Sequence, residues 1–250
     1  MWANADPGRA AFICVYRSRN ASLVEDLAGQ ASALGMAVAL WALDRPLLSL
    51  SRQTVGSGQG LRLPLLNRLW AAVRGSQPGR LVVSDDDVAF TRGSLSLFVA
   101  AADRCGFDLA QPAHDGASSW NHRLTRGRAF TLARSTNFVE AGPLIVAAAP
   151  WLPRLLPFPE ELGMGWGLEL LWQDLLKEEC RFGIVDGVRI RHLERRDYDS
   201  KREKKNLVSV MKARKITKLS DVQRCLGVWR PWQAEPPWLR AQSRARVLAE

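Results

Sequence analysis

The stretch that decides the fold is Arg80-Leu81-Val82-Val83-Ser84-Asp85-Asp86-Asp87, an apolar run that ends in three aspartates. The run predicts a buried strand, and ligand sites of α/β sheets lie where such strands end. Three adjacent carboxylates repel one another, and a divalent cation relieves that repulsion. In extended chain Asp85 and Asp87 point to the same side, so they are the predicted metal ligands. An exposed acidic turn is the structural alternative.

Upstream of this stretch the pattern predicts a parallel strand–helix–strand unit. Residues 11–16 and 36–43 form short apolar runs, and residues 20–34 place leucines on one helical face. A glycine-rich loop over 55–60 and a helix over 64–73 complete this part. The short return between the two strands favours parallel pairing.

Downstream, the sequence predicts a helix over 93–102, a strand at 144–146, a helix over 167–178 and a strand over 182–191. From residue 197 onward the chain becomes basic, helical in pattern and rich in Trp and Pro near its end. We therefore predict an α/β fold with a mixed sheet flanked by helices. Residues 1–197 form the catalytic domain, and residues 198–250 form a basic C-terminal extension.

Composition limits the class of protein. The chain has 250 residues, a net charge of +10 and four well-separated cysteines, which is typical of a folded protein in a reducing compartment. No basic-then-apolar leader is present at the N-terminus, and prolines interrupt the longest apolar stretch. We expect a cytoplasmic protein, peripheral at the inner membrane surface if its basic segment contacts lipid.

A second motif, Gly165-Trp166-Gly167-Leu168-Glu169, precedes a predicted helix. An indole face suits a sugar ring, and Glu169 is placed to act as a general base toward a hydroxyl. The alternative makes Trp166 core filler and Glu169 a favourable charge at the helix start.

A third feature is Ile190-Arg191-His192-Leu193 at the end of a strand. The chain has three histidines, and His192 lies at a strand end as the aspartates do. Imidazole, carboxylates and phosphate oxygens together suit Mn²⁺, so His192 is the predicted third ligand. A structural or surface histidine is the alternative.

The order of these motifs resembles the GT-A class of nucleotide-sugar glycosyltransferases. GWGLE is similar to the GWGGED segment of the β-galactosyltransferase group, and the Arg191-His192 region resembles that group's metal histidine region. The segments Gln111-Pro112-Ala113-His114-Asp115 and Thr136-Asn137-Phe138-Val139-Glu140 also resemble an uncharacterised family of glycosyltransferases with a DDD motif. The chain departs from the group at Leu170, where the group has its usual catalytic aspartate, which leaves Glu169 as the only carboxylate of the motif.

The resemblance implies roles for further residues. It implies Mn²⁺ or Mg²⁺ as cofactor and a nucleotide-sugar donor. The implied donor contacts are Tyr16, Arg17, Asp44, Arg62, Asn67 and Asp86. The implied acceptor or sugar contacts are Trp166, Gly167, His114, Asp115, Asn137 and Glu140, although Asn137 and Glu140 equally suit a local turn.

The function that follows is metal-dependent transfer of a sugar to a hydroxyl acceptor. Two other classes stay open: a metal-dependent nucleotidyltransferase or phosphotransferase, and a nucleic-acid-binding module that uses the basic segment. The segment from Arg195 to Arg224 is expected to meet an anionic membrane or a phosphorylated acceptor. A solvated helical face is the structural alternative.

Overall fold

The computed structural model describes residues 10–193 and 198–239. The N-terminal nine residues, the segment 194–197 with Arg195 and Arg196, and residues 240–250 lie outside the described residues. Among the described helices, none combines the length and the apolar composition that crossing a lipid bilayer requires.

Strands of the described chain build one mixed sheet in the order β10-β7-β9-β6-β8-β4-β1-β2-β3, with β5 paired to β9. β1 pairs in parallel with β2 and β4, β2 with β3, and β6 with β9, and the other pairs are antiparallel. The strands are β1 (Ala10–Tyr16), β2 (Ala37–Ala42), β3 (Thr54–Ser57), β4 (Arg80–Ser84), β5 (Val88–Arg92), β6 (Leu109–His114), β7 (Ala133–Thr136), β8 (Leu144–Ala148), β9 (Phe182–His192) and β10 (Cys225–Trp229). The predicted mixed sheet is confirmed.

Helices cover both faces of this sheet. They are α1 (Ala21–Ala33), α2 (Arg62–Val73), α3 (Leu95–Arg104), α4 (Leu152–Leu155), α5 (Leu168–Trp172) and α6 (Ser200–Ala213). β1 shows why two cores form, because its side chains alternate between the faces. Phe12 and Cys14 join the core that includes residues of α1 and α3, whereas Ile13 joins the core that includes residues of α2 and α5.

The sheet brings the Asp triplet and the end of β9 together. β4 lies between β1 and β8, so the chain leaving Ser84 emerges beside the end of β1. β5 follows the triplet directly and pairs with β9 in a register that sets Val88 opposite His192. The backbone N–H of Leu193 also donates to the carbonyl of Asp87 at 3.1 Å. Positions far apart in the sequence thus become neighbours.

The region after residue 197 contributes to the same sheet. β10 pairs antiparallel with β7, and α6 contacts α5. The sequence analysis predicted helix for this region and missed β10. The boundary near residue 197 remains a prediction.

Candidate active site

A cavity of about 580 Å³ opens where β1 and β4 end, within the size range of small-molecule sites. Its wall combines the Asp triplet, the end of β9 and the GWG segment. The predicted site residues that line the cavity are Arg17, Arg62, Asp85, Asp86, Asp87, Glu140, Trp166, Glu169 and His192.

Each aspartate of the triplet has a different partner. The Asp85 carboxylate accepts a hydrogen bond from Arg62 Nε at 2.6 Å. Asp86 accepts from the backbone N–H of Arg17 at 2.7 Å, and its burial raises the pKa of the carboxyl. Asp87 Oδ1 lies 3.2 Å from His192 Nε2. Asp85 therefore holds Arg62, Asp86 fixes the backbone that follows β1, and Asp87 contacts His192.

The predicted metal trio is not assembled, because Asp85 is turned toward Arg62. Within residues 10–193 and 198–239, no group of three or more His, Cys, Asp or Glu side chains is arranged to hold a metal ion. Asp87 and His192 nevertheless fit two neighbouring positions around one cation. Ligands at ~2.1 Å from an octahedral ion lie about 3 Å apart, and such ions commonly take their other ligands from phosphates and water.

The negative charge around His192 stabilises its protonated form and an ion pair with Asp87. Burial alone lowers the pKa of His192, but the hydrogen bond and charge of Asp87, with Asp85 and Glu140 nearby, raise the pKa above its usual value. The His192 side chain is 15% exposed and that of Asp87 8%, so solvent screens their attraction only weakly.

All three histidines of the chain gather at this end of the sheet. His114, fully buried, contacts Glu140 Oε2 through Nε2 at 3.2 Å and Ser118 Oγ through Nδ1 at 2.8 Å. The Ser118 hydroxyl also accepts from the backbone N–H of His192 at 2.9 Å. Glu140, which lines the cavity, is thereby tied through buried polar groups to the strand end that carries His192.

Glu169 reaches the cavity from the first turn of α5. Gly167 caps this helix with φ of +95°, a conformation in which side chains are strained, and the chain then directs Glu169 to the cavity and Leu170 into the core. Leu170 is fully buried, so a carboxylate at that position would not face the cavity.

Burial raises the pKa of Glu169 to about 7, and the charge of Glu140 adds to that effect. The helix dipole favours the ionised carboxylate but does not offset this burial. α5 is only five residues long, and the loss of hydration outweighs its dipole. A carboxyl that titrates near neutral pH is well matched to general base catalysis.

Two rival carboxylates are positioned elsewhere. Glu161 is exposed and does not line the cavity. Asp174 accepts two hydrogen bonds from Arg214 at 2.7 and 2.9 Å, and this pairing lowers its pKa.

Several predicted donor contacts do not reach the cavity. Tyr16 is buried, and its hydroxyl bonds Thr54 Oγ1 and the N–H of Leu47. Asp44 accepts from the N–H and hydroxyl of Ser18. Asn67 uses both amide atoms on the backbone of Phe158. These polar groups are occupied within the protein.

The same holds for four predicted acceptor contacts. His114 lies behind Glu140, and Asp115 pairs with Arg191 at 3.1 Å. Asn137 bonds the backbone of Val222 and Arg224. Gly167 lies under α6 and does not line the cavity.

The structure adds lining residues outside the predicted site, namely Asn121, His122, Tyr198 and Asp199. Asn121 donates to Glu140 Oε1 at 3.3 Å, and His122 Nδ1 contacts Gln223 Nε2 at 2.7 Å. The scarcity of histidine and tyrosine was an available signal, since the chain has three His and two Tyr.

No protein-family model matches the chain, and no curated protein matches it by sequence. Solved structures do resemble it. A structure of GalNAc-T7 with UDP, GalNAc and Mn²⁺ aligns with a TM-score of 0.57 at 13% identity, over 82% of this chain and 48% of that one. S. aureus TarS 1-349 in complex with UDP-GlcNAc aligns with a TM-score of 0.51 at 11% identity, over 82% of this chain and 65% of that one.

These likenesses establish the fold. The chain has the GT-A-type fold that the sequence motifs predicted, with its mixed sheet flanked by helices. It spans about half the length of the GalNAc-T7 chain and 65% of the TarS fragment.

Proposed function

We propose that this chain is a metal-dependent glycosyltransferase that moves a sugar from a nucleotide-sugar donor to a hydroxyl acceptor. The observation that carries the proposal is the contact between Asp87 and His192 inside a cavity that Glu169 and Trp166 also line. The fold supports it, because the neighbours named above were solved with UDP or a UDP-sugar.

The donor diphosphate would be held at the end of β4. Asp87 and His192 would hold Mn²⁺ or Mg²⁺, which when bound neutralises phosphate charge. Arg62 is fixed at the cavity wall by Asp85 and by the carbonyl of Ala141 at 3.1 Å, so its guanidinium is a further phosphate contact. Asp86 also lines the cavity, and it fixes the backbone at Arg17.

The acceptor would enter past Trp166 and Glu169. A sugar hydroxyl is a weak nucleophile, and a carboxylate that accepts its proton typically contributes 10²- to 10⁴-fold. Glu169 takes this role, or orients the hydroxyl, because Glu161 and Asp174 do not line the cavity. Glu140 is held by His114 and Asn121 in a position suited to a second acceptor hydroxyl.

A nucleic-acid duplex or strand does not suit the cavity itself. Its wall concentrates Asp85, Asp86, Asp87, Glu140 and Glu169, and carboxylates repel phosphate backbones. Trp166 and Glu169 also line the cavity. Phosphoryl transfer would give these two residues no role, whereas sugar transfer uses both.

The test is calorimetric titration of UDP and other nucleoside diphosphates with and without Mn²⁺. Asp87→Asn should abolish Mn²⁺-dependent binding, and His192→Ala should weaken it ~10- to 100-fold, the size of losses around metal sites. Asp26→Asn, an exposed change on α1, is the matched control.

The donor is then identified by incubating the protein with a panel of UDP-sugars and measuring the UDP that hydrolysis releases. Mn²⁺-dependent binding that persists in Asp87→Asn would reject the metal assignment. Absence of binding for every nucleotide tested would reject the donor class.

A further inference from the structure

A basic surface lies next to the cavity on α6 and the turn that follows it. Its exposed cations are Lys201, Arg202, Lys204, Lys205, Lys212, Lys215 and Lys218. We call this set the α6 basic face. Glu203 is the only acidic residue of α6, and it is buried rather than exposed beside the cations.

α6 is held against the cavity wall by its other side. Glu203 is 1% exposed and accepts from the N–H of Met164 at 3.1 Å, directly before the GWG segment. Leu207 lines the cavity, and Arg214 anchors the far end of the helix through Asp174. The basic face is therefore fixed beside the GWG segment.

The charges of this face form few interactions within the described residues, and the charge of Arg202 acts on the buried Glu203. Across residues 10–193 and 198–239, no ion pair involves any of its seven side chains. Like charges one helical turn apart, such as Lys201 and Lys205, destabilise a helix. An anionic ligand relieves that repulsion.

The face suits a polyanionic chain better than a membrane. A helix that lies on a bilayer needs an exposed apolar side, and α6 has already packed its apolar side on the protein. Val208, 54% exposed, is the large apolar residue left outward on the helix. The lining of the cavity by Trp166 and Glu169 favours a hydroxyl-bearing glycan over a nucleic acid.

We propose that the acceptor is a polyanionic glycan or similar hydroxyl-bearing chain, carrying several phosphate, sulfate or carboxylate groups that dock on the α6 basic face while a hydroxyl enters the cavity. That the docked chain is the acceptor rests on the proposed function. The docking itself does not depend on it.

The first test uses a matched pair of polymers, dextran sulfate and neutral dextran, in fluorescence anisotropy at several salt concentrations. Dextran sulfate should bind and dextran should not. A triple variant, Lys204→Gln with Lys205→Gln and Lys212→Gln, should bind at least ~10-fold more weakly and with a smaller salt slope. The control triple, Arg45→Gln with Arg52→Gln and Arg74→Gln, removes the same charge from exposed positions elsewhere and should bind as the wild type does.

Two further probes separate other ligands. Phosphatidylglycerol vesicles that bind through the α6 basic face while dextran sulfate does not would replace the proposal with membrane contact. Single-stranded DNA that binds more tightly than dextran sulfate through the same face would replace it with nucleic-acid binding. If both triple variants lose affinity for dextran sulfate equally, binding follows the net charge of the protein and the α6 basic face is not a specific docking site.

The second test links the face to the cavity. Dextran sulfate, with Mn²⁺ in excess, should reduce hydrolysis of the bound donor at least about twofold, because a docked chain displaces water from the adjoining cavity. The α6 triple variant should not respond, and neutral dextran should have no effect. If docked dextran sulfate leaves hydrolysis unchanged, the acceptor role is wrong. If no donor is hydrolysed, the proposed function fails, and the anisotropy result still decides the docking surface.

Discussion

At the scale of single residues, the cavity depends on where polar atoms find partners. Two contacts of the cavity, Arg17 with Asp86 and Asp87 with His192, form where two strand ends meet. The ends of strands can be predicted from apolar runs in the sequence. Tyr16 lies at the end of β1 and Asn67 within α2, but their polar atoms bond Thr54 and Phe158. Those partners come from long-range packing, which no local pattern reveals.

Glu169 gives a prediction for the pH dependence of transfer. Its pKa near 7 means that the carboxylate is largely protonated below that pH and available as a base above it. The rate of transfer under donor saturation should therefore rise with pH through about 7 in the wild type. Glu169→Gln should lose at least ~10² in rate and lose this limb of the pH profile, while still binding donor and metal. Glu161→Gln, exposed and outside the cavity, is the control. A wild-type limb that persists in Glu169→Gln would assign the titration to another group.

The same group predicts a pH dependence of stability with a definite sign. The folded state keeps a proton on Glu169 up to about pH 7, whereas the unfolded state releases it near the ordinary value of 4.5. Between these values the folded state binds more protons, so raising the pH lowers the free energy of unfolding. Denaturant unfolding at pH 5 and pH 7.5 should show a smaller decrease for Glu169→Gln than for the wild type. An equal decrease would mean that the carboxyl is ionised in the folded protein at both pH values.

At the scale of elements, strands made of apolar residues could be predicted from the sequence. Strands that are stabilised only by partners from other strands could not. β4 was placed at residues 80–84, as observed, because Leu81, Val82 and Val83 are all buried. β7 reads Ala-Arg-Ser-Thr and contains the buried Arg134, which pairs with Asp186 at 2.7 Å. A charged residue inside a strand opposes any local strand pattern, and only a partner from another strand makes it favourable.

The junction between the GWG segment and α6 yields an element-scale prediction. Gly167→Ala places a Cβ at φ of +95° and 3.3 Å from Val210, so it should lower the free energy of unfolding by about 1–3 kcal/mol. It should also weaken transfer, because Trp166 and Glu169 flank the changed residue. Gly29 lies at an exposed position of α1 with open space where a Cβ would be. Gly29→Ala should therefore raise the free energy of unfolding by about 0.4–1 kcal/mol. Urea unfolding of both variants checks the pair, and equal effects would remove the strain argument.

At the scale of the whole molecule, cavity and sheet share their supports. The cavity wall takes Asp87 from the end of β4, His192 from β9, Glu169 from α5 and Leu207 from α6. β10 closes the edge of the sheet on β7, which pairs with β9. The region after residue 197 therefore contributes to both the cavity wall and the sheet, although its composition sets it apart as a basic extension.

Truncation after residue 197 tests this contribution and the predicted domain boundary together. Removal of α6 would take the partner of Met164 away and expose the apolar surface that Val210 covers. Removal of β10 would leave β7 as an open sheet edge, which promotes aggregation. Loss of Val222, which precedes β10, would also remove the hydrogen bonds of Asn137 and Gln173 to its carbonyl. We therefore expect residues 1–197 alone to lose cooperative unfolding and nucleotide binding, as measured by urea titration and calorimetry. If this fragment instead unfolds cooperatively at the urea midpoint of the full chain, residue 197 is a true domain boundary. The cavity would then owe its shape to the sheet alone.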